Sequence, residues 1–598
     1  MRTWSSLAAL CLFLVACSHD RSGNSDGGNQ KTCGFCNGIQ FIPCTADGQQ
    51  GTPMLCEVGQ VCVDGVGCGA CMPGGKTCVA NEVHACGADG KPGDYVATCD
   101  DKSGVDCADG MCLDGCAAAA TNASNVGCEF WAVDLDNELA PGSDAANAAW
   151  GIVVSNAGQA TANVIIERND ALPGATPAPA MVNGLSLPPG TVQMVTLPTR
   201  EVDGTTNGMN NGPGTFLSSN AYRIKSDVPL VVYQFNPLRQ SFSNDASLLI
   251  PTNGLGTDHR VVGYPTARPF AIAGLTSHSF ITIVGTQAGT TVKVQVSNAT
   301  VAGGGVPALA KGATYTGTIG LFDVLNIESD GVPGDFTGSF VSASAPVAVF
   351  TGTEAALAPA TANKPPPPPN SSGSSTCCTD HLEEQVWPVS SLGKRFVVTR
   401  SPIRSDDPVA YPGYDVIRFV GAAETATVTT NLAAPDNSFT LQPGQLHETF
   451  VDKDFVVEAT QPIIVAQILV SGDYTDTNLL VGDPSLTIFP AVEQFRPEYL
   501  FLVPESYDTN YVVIAQRAAD PPITIDGAAL PASCVMAPAG TLAAIDYVAR
   551  RCPVMPGAHK LLGANPFGIA AYGYYRYGSY AFIGGAFVKK IYSPPPIL

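Results

Sequence analysis

From Glu129 onward the chain is built of short apolar runs punctuated by glycine and proline. No segment after residue 20 keeps a 3.6-residue apolar period, and Val, Thr, Ile and Tyr are frequent, so the pattern predicts strands throughout. The runs recur in a shared frame: an apolar stretch ending in proline, a glycine or aromatic a few residues later, then paired strands. SNDASLLIPTNGLGTDHRVVGYPT followed by SFITIVGTQAGTTVKVQV is one occurrence. DHLEEQVWPVSSLGKRFVVTRSP followed by YDVIRFVGAAETATVTT is a second, and GDPSLTIFPAVEQFRPEYLFLVPES followed by NYVVIAQRAADPPITIDG is a third. The opening unit, from Phe130 through AWGIVVSNAGQATANVIIERND, lacks the proline-containing entry.

The unit closings also match: NAYRIKSDVPLVVYQFNP, GSFVSASAPVAVFTGTE, KDFVVEATQPIIVAQILV and, more loosely, NPFGIAAYGYYRYGSYAFIGGA. SDVP, SAP and TQP are turn signals between alternating stretches, so each closing predicts a hairpin, with Pro in the turn or at the first strand position. The frame gives four units of about 100 residues with seven or so strands each, the size of a β-sandwich. Two four-stranded blades per unit, making an eight-bladed propeller, is the alternative. The fold class is therefore all-β, in tandem sandwich-like repeats.

The segment before them is different. Residues 33–128 hold fourteen cysteines: Cys33, Cys36, Cys44, Cys56, Cys62, Cys68, Cys71, Cys78, Cys86, Cys99, Cys107, Cys112, Cys116 and Cys128. Their spacing nearly repeats. Cys36 and Cys44 match Cys78 and Cys86, and Cys56, Cys62 and Cys68 match Cys99, Cys107 and Cys112. Two tandem modules result, 33–70 and 71–128. Each has too few large apolar residues to build a core alone, so disulfides must substitute. Cys33-GF-Cys36 and Cys68-GA-Cys71 lack the partner spacing of a zinc ribbon, the βαβ context of a redox motif and the following His of a haem attachment. Connectivity stays open at this point. Cys534 and Cys552 are the simplest further pair, which leaves Cys377 and Cys378 without an assigned state.

The first residues carry an address. Arg2, an apolar run from Leu7 to Val15 and then Leu14-Val15-Ala16-Cys17 resemble a bacterial lipobox. The pattern predicts a signal peptide over 1–16, lipidation of Cys17 and a flexible tether over 17–32. Ser18 in place of Asp points to the outer membrane. Residues 363–376 form a Pro/Ser-rich loop within the body, 129–598. The formal net charge of −22 with only 30 basic residues argues against nucleic acid and against anionic lipid surfaces.

The most specific element of the body is Cys378-Thr379-Asp380-His381-Leu382-Glu383-Glu384-Gln385. Ser243-Asn244-Asp245 with Leu249-Ile250-Pro251, Leu255-Gly256, Pro346-Val347-Ala348-Val349-Phe350 and Gly482-Asp483-Pro484 support it. On these segments the body resembles the N-terminal domain of the IgG Fc-binding protein family over about 129–586. The resemblance implies a secreted or surface protein with Cys-rich modules in front. No von Willebrand type D domain is evident, no Fc-contacting residue can be placed, and Ser485 stands where self-cleaving relatives have His.

Reactive groups are sparse. The seven histidines form no HExxH, and no P-loop or GxSxG elbow occurs. Asp380, His381, Glu383 and Glu384 are the one candidate cluster. As a strand they would place His381 and Glu383 on one face, able to bind a divalent cation or act as acid and base. Asp245 and Asp483 sit at equivalent boundaries, which favours a structural role capping a turn, with no catalytic residue, no metal ligand and no cofactor assigned. Asp134 and Asp136 lack calcium-loop spacing and read as solvated. Tyr572, Tyr574, Tyr575, Tyr577 and Tyr580, with Arg576, read as core more than as a binding face.

These features predict a non-enzymatic, lipid-anchored cell-surface adhesion protein that recognises an extracellular protein or glycan through its β-rich head. A self-associating envelope or matrix component is the alternative, and a carboxylate-dependent hydrolase comes third.

Overall fold

The computed structural model describes residues 33–37, 40–56, 60–140, 143–205, 214–238, 243–267, 276–360, 367–369, 378–475 and 480–597. The segments read as signal peptide and tether, Cys17, Cys377 and most of the 363–376 loop lie outside the described residues. The described chain divides into two compact units, one of residues 33–75 with 85–94 and one of 76–84 with 95–597.

The first unit holds a small sheet of Phe35–Asn37, Gln40–Ile42 and Met54–Leu55 and a hairpin of Val61–Val63 with Gly67–Gly69. Seven disulfides join the fourteen cysteines of 33–128. Cys33–Cys44, Cys36–Cys62 and Cys56–Cys68 follow a first-to-third, second-to-fifth, fourth-to-sixth order. Cys71–Cys86, Cys78–Cys107 and Cys99–Cys112 repeat that order, and Cys116–Cys128 adds a seventh bridge. The two cysteine runs are thus repeats in connectivity as well as in spacing. In the second unit an α-helix, Gly115–Thr121, is capped by the Asp114 carboxylate, which accepts from Ala117 N at 3.0 Å.

The larger part of the second unit is four β-sandwich repeats, the first of seven described strands and the other three of eight. The third shows the plan most plainly. One sheet orders Arg395–Val398, Phe455–Ala459, Ala426–Thr430 and Ser438–Leu441; the other orders Leu446–Val451, Asp415–Gly421, Ile463–Leu469 and Leu486–Ile488. In the other three repeats a single long strand serves both sheets. Tyr222–Asn236 pairs through its first half with Gly127–Ala132 and Ala162–Asn169, and through its second with Gly151–Asn156 and Asp245–Leu248. Phe340–Ala356 and Gly557–Tyr575 switch partners in the same way. No propeller is formed by these sheets.

The hairpin expectation for the closings is corrected here. The closings of repeats 1 and 2 are each one continuous strand, that of repeat 3 is two strands, Phe455–Ala459 and Ile463–Leu469, in different sheets, and the fourth contains a hairpin, between Gly557–Tyr575 and Gly578–Ile583. Pro229, Pro346, Pro462 and Pro566 mark the point where the strand leaves one sheet for the other. None carries a ladder pairing, so the missing N–H costs nothing there.

Burial changes at the same point. Strands of the outer sheets alternate, as in Thr290–Gln295, with every second residue exposed. Central strands of the inner sheets, Ser279–Gly285, Asp415–Gly421 and Ile463–Leu469, are buried at every residue. One inner face packs on the outer sheet, as in repeat 2, where Val261, Ile281, Ile283, Val292, Val294 and Val349 share a core. The other faces the neighbouring repeats. The four closing strands touch in a cycle: Asp245–Leu248 meets Asp380–Gln385 and Gly578–Ile583, and Leu486–Ile488 meets the same two. Close approach is built in: a Cβ on Gly352 would lie 1.8 Å from the Leu382 carbonyl oxygen.

Candidate functional site

The closing strands bring the sequence-singled residues together. Asp380, His381, Glu383 and Glu384 lie in the strand Asp380–Gln385 and are 0–2% exposed. They do not cap a turn: a strand covered on both faces has no water to receive them. The Asp245 carboxylate is the centre of this polar junction. It accepts from Ser485 Oγ at 2.6 Å, Leu486 N at 3.1 Å, Glu383 N at 3.2 Å and Ala246 N at 2.9 Å. Three repeats meet on one carboxylate. Ser485 Oγ in turn accepts from Ala581 N at 2.8 Å, which adds the fourth repeat.

Neighbouring ties follow the same logic. His381 N donates to Ser243 Oγ at 2.9 Å, and Gln385 N to Ser247 Oγ at 2.8 Å. Asn244 N donates to Asp380 Oδ1, and Asn244 Nδ2 to Ser579 O at 3.2 Å. Burial raises the Asp380 carboxyl well above the usual carboxylate range, and the nearby Asp483 and Asp245 raise it further. Burial also raises Asp245, while its hydrogen-bond donors pull the other way.

His381 Nε2 stands 3.4 Å from Glu383 Oε2, the same-face placement expected of alternate strand positions. The contact has ion-pair distance but not ion-pair charge. Burial pushes His381 down to about 3 and Glu383 up to about 8, so near neutrality both are uncharged. Gln234 Nε2 donates to Glu383 Oε2 at 3.3 Å, oriented by Val133 N donating to Gln234 Oε1 at 2.9 Å. A substrate has no route to a pair 0% exposed on both sides.

The sequence also missed residues. Asp134 and Asp136, read as solvated, are 2% and 4% exposed. The segment 134–138 runs inward from the first strand of repeat 1: Asp134 Oδ2 accepts from Arg200 N at 2.7 Å, and Glu138 Oε1 accepts from Thr379 Oγ1 at 3.1 Å. Glu201, Asp203, His278, Glu328 and Glu354 gather beside Asp136. With Asp136 they come from five separate stretches of the chain. Tyr572, Tyr574 and Tyr580 are core, while Arg576 is exposed in the turn. Cys534 and Cys552 are joined, and Cys378 is disulfide-bonded.

A family model described as IgGFc binding protein matches residues 245–573, from the junction carboxylate to the last long strand and more than half of the chain. The chain belongs to the IgGFc binding protein family. A relative, the IgGFc-binding protein of Homo sapiens, is 27% identical over 360 residues, 59% of this chain. The alignment spans only 6% of that relative's own length. The family match takes in Asp245, Asp380–Gln385, Leu486–Ile488 and the long strand Phe340–Ala356, and ends within Gly557–Tyr575.

Asp245→Ala strips four donors of their buried acceptor, and each unsatisfied group costs about 1–3 kcal/mol. The variant should fail to accumulate folded protein or melt far below wild type, whereas Ser485→Ala should lower the melting temperature only modestly. Equal melting of Asp245→Ala and wild type in calorimetry would remove the junction's structural role.

Glu383 adds a pH dependence. Unfolded, it titrates near 4.5; folded, it holds its proton up to about pH 8. The folded state binds the extra proton across that window, so this contribution to stability is lost as pH rises through it. Neutral His381 acts oppositely, below about pH 6.5. Glu383→Gln should flatten the decline in melting temperature between pH 5 and pH 8; an unchanged slope counts against the neutral carboxyl.

Proposed function

We propose that this chain is a non-catalytic, lipid-anchored cell-surface adhesion protein that recognises an extracellular protein or glycan. The observation that carries the reading is a groove of about 560 Å³ between repeats 3 and 4, lined by Arg400, Ile403, Lys453, Asp454, Val535 and Arg551 among others. Ile403 is 45% exposed and Val535 64%, and Met536 beside it is 56% exposed. Apolar side chains presented to water beside charged ones suit a protein ligand.

The groove has a fixed floor. Arg551 pairs with the buried Asp454 carboxylate and donates to Arg400 O at 3.0 Å, while Arg400 N donates to Asp454 Oδ1 at 2.9 Å. A surface already ordered loses less entropy on binding. The rest of the reading has its own supports. The dense disulfides of the described residues favour an oxidising compartment. No described helix is long and apolar enough to cross a membrane, and the Cys17 lipobox supplies the attachment. Sealing of His381 and Glu383 inside the junction favours binding over catalysis. Self-association through free Cys378 loses its support, because that cysteine is disulfide-bonded.

Full-length protein on a glycan and surface-protein array should give a saturable hit, and Val535→Asp should weaken it at least about tenfold, or about 1.4 kcal/mol. A blank array with folded protein, or a hit indifferent to Val535→Asp, refutes the groove. Lipid attachment is read separately: Cys17→Ser should move the protein from the membrane fraction to the soluble one and abolish incorporation of labelled fatty acid.

A further inference from the structure

Six ionisable side chains converge where repeat 1 meets repeat 2, none of them a hydrogen-bond partner of the Asp245 carboxylate or a lining residue of the groove. Ligand atoms of His278, Glu328 and Glu354 lie within 4.8 Å of one another, and so do those of Asp136, Glu201 and Asp203. The two triads are neighbours: the Asp136 carboxyl is raised by burial and then by the charges of Glu354, Asp203, Glu328 and Glu201. Among the described residues no lysine or arginine pairs with Asp136, Asp203, Glu328 or Glu354. Buried carboxylates without a counter-charge are costly unless protonated or bound to a cation.

The first triad shows more than acidity. Glu328 is 1% exposed; its Oε1 accepts from Asn326 Nδ2 at 2.9 Å, but its Oε2 has no hydrogen-bond partner. Gly214, at φ +85°, makes room for it, since a Cβ there would lie 2.2 Å from Oε2. Glu354 Oε1 accepts from His278 N at 2.8 Å, which fixes that carboxyl beside the imidazole. His278 Nδ1 lies 2.6 Å from Ser329 O. A carbonyl only accepts, so Nδ1 carries the proton and the lone pair is on Nε2. This is the tautomer of a metal-bound histidine whose other nitrogen is held by a backbone carbonyl.

We propose that Glu328, Glu354 and His278 bind a divalent transition-metal ion, Zn²⁺ or Mn²⁺, on the side of repeat 2 that faces the Asp136 and Asp203 segments of repeat 1. Two carboxylates and one imidazole are a mixed oxygen and nitrogen set, which suits these ions better than the all-oxygen shells of Ca²⁺ or Mg²⁺. The ion neutralises part of the carboxylate cluster and gives the orphaned Glu328 oxygen its partner. Its role is structural, and it stands whatever ligand the groove takes.

The test uses full-length protein purified without chelator. Elemental analysis should find close to one Zn²⁺ or Mn²⁺ per chain, chelation should lower the melting temperature by several degrees, and adding back either ion should restore it. Glu328→Gln, nearly isosteric, and His278→Asn should each bind the ion at least tenfold more weakly while keeping the wild-type circular dichroism. Substoichiometric metal with a chelator-insensitive melt overturns the site. Restoration by Ca²⁺ alone overturns the imidazole's part in it. Unweakened binding by both variants overturns the ligand set. If either variant fails to fold, the wild-type metal content and add-back decide the matter.

Discussion

Asp245 is the group on which this architecture turns. A β-sandwich buries its own core between its two sheets, but each repeat here has an inner sheet covered on both faces, and the second covering comes from the other repeats. Something must fix how those faces meet, because apolar packing alone tolerates many registers. A carboxylate with four donors drawn from three repeats supplies that fix: hydrogen bonds are directional, and leaving any of these groups unmet in a buried site is costly. Ser485 shows the economy of the arrangement, since its one hydroxyl donates to Asp245 and accepts from Ala581 N, passing the tie to the fourth repeat.

The long strands are the second half of the same constraint. A strand that serves both sheets sets the angle between them, and in three repeats it does so without a break. The sequence carried this information in a form open to misreading. SDVP, SAP and TQP look like turns because proline and serine usually mark them. Inside a strand that changes partners, the same proline marks the residue that needs no ladder donor. The shift from alternating to continuous burial along Tyr222–Asn236, Phe340–Ala356 and Gly557–Tyr575 is the signal that separates the two readings. It was legible: LVVYQF and AVFTGT do not alternate as a half-exposed hairpin arm would.

Repeat number, strand content and the two-module cysteine pattern were equally plain, because each rests on local spacing. The polar interior was not. Asp380, His381 and Glu383 stood out as a motif, yet their burial depended on closing strands far apart in sequence. Glu201, His278, Glu328 and Glu354 gave no signal at all, since a glutamate at a strand end is ordinary until the fold sets others beside it. Charge is therefore the poorest guide in this chain. A net charge of −22 reads as an acidic surface, but several of its carboxyls are interior groups with raised affinity for protons.

That distribution bears on how the molecule divides its labour. Replacing buried charged groups by apolar ones often stabilises a protein, so their retention calls for a reason other than stability. Here many of the described ones stand where repeats meet. Arg418 of repeat 3 is another: it donates to Glu448 at 2.7 Å within its own repeat, and to Asp335 at 2.9 Å and Gly263 O at 2.6 Å in repeat 2. Polar contacts that are satisfied in one arrangement alone make the packing of repeats unique. A groove formed between two repeats, with Arg551 and Asp454 reaching across its floor, keeps a fixed shape only if that packing is unique. The buried polar ties and the exposed apolar groove are thus two consequences of one design: interior charge sets the geometry that the surface uses.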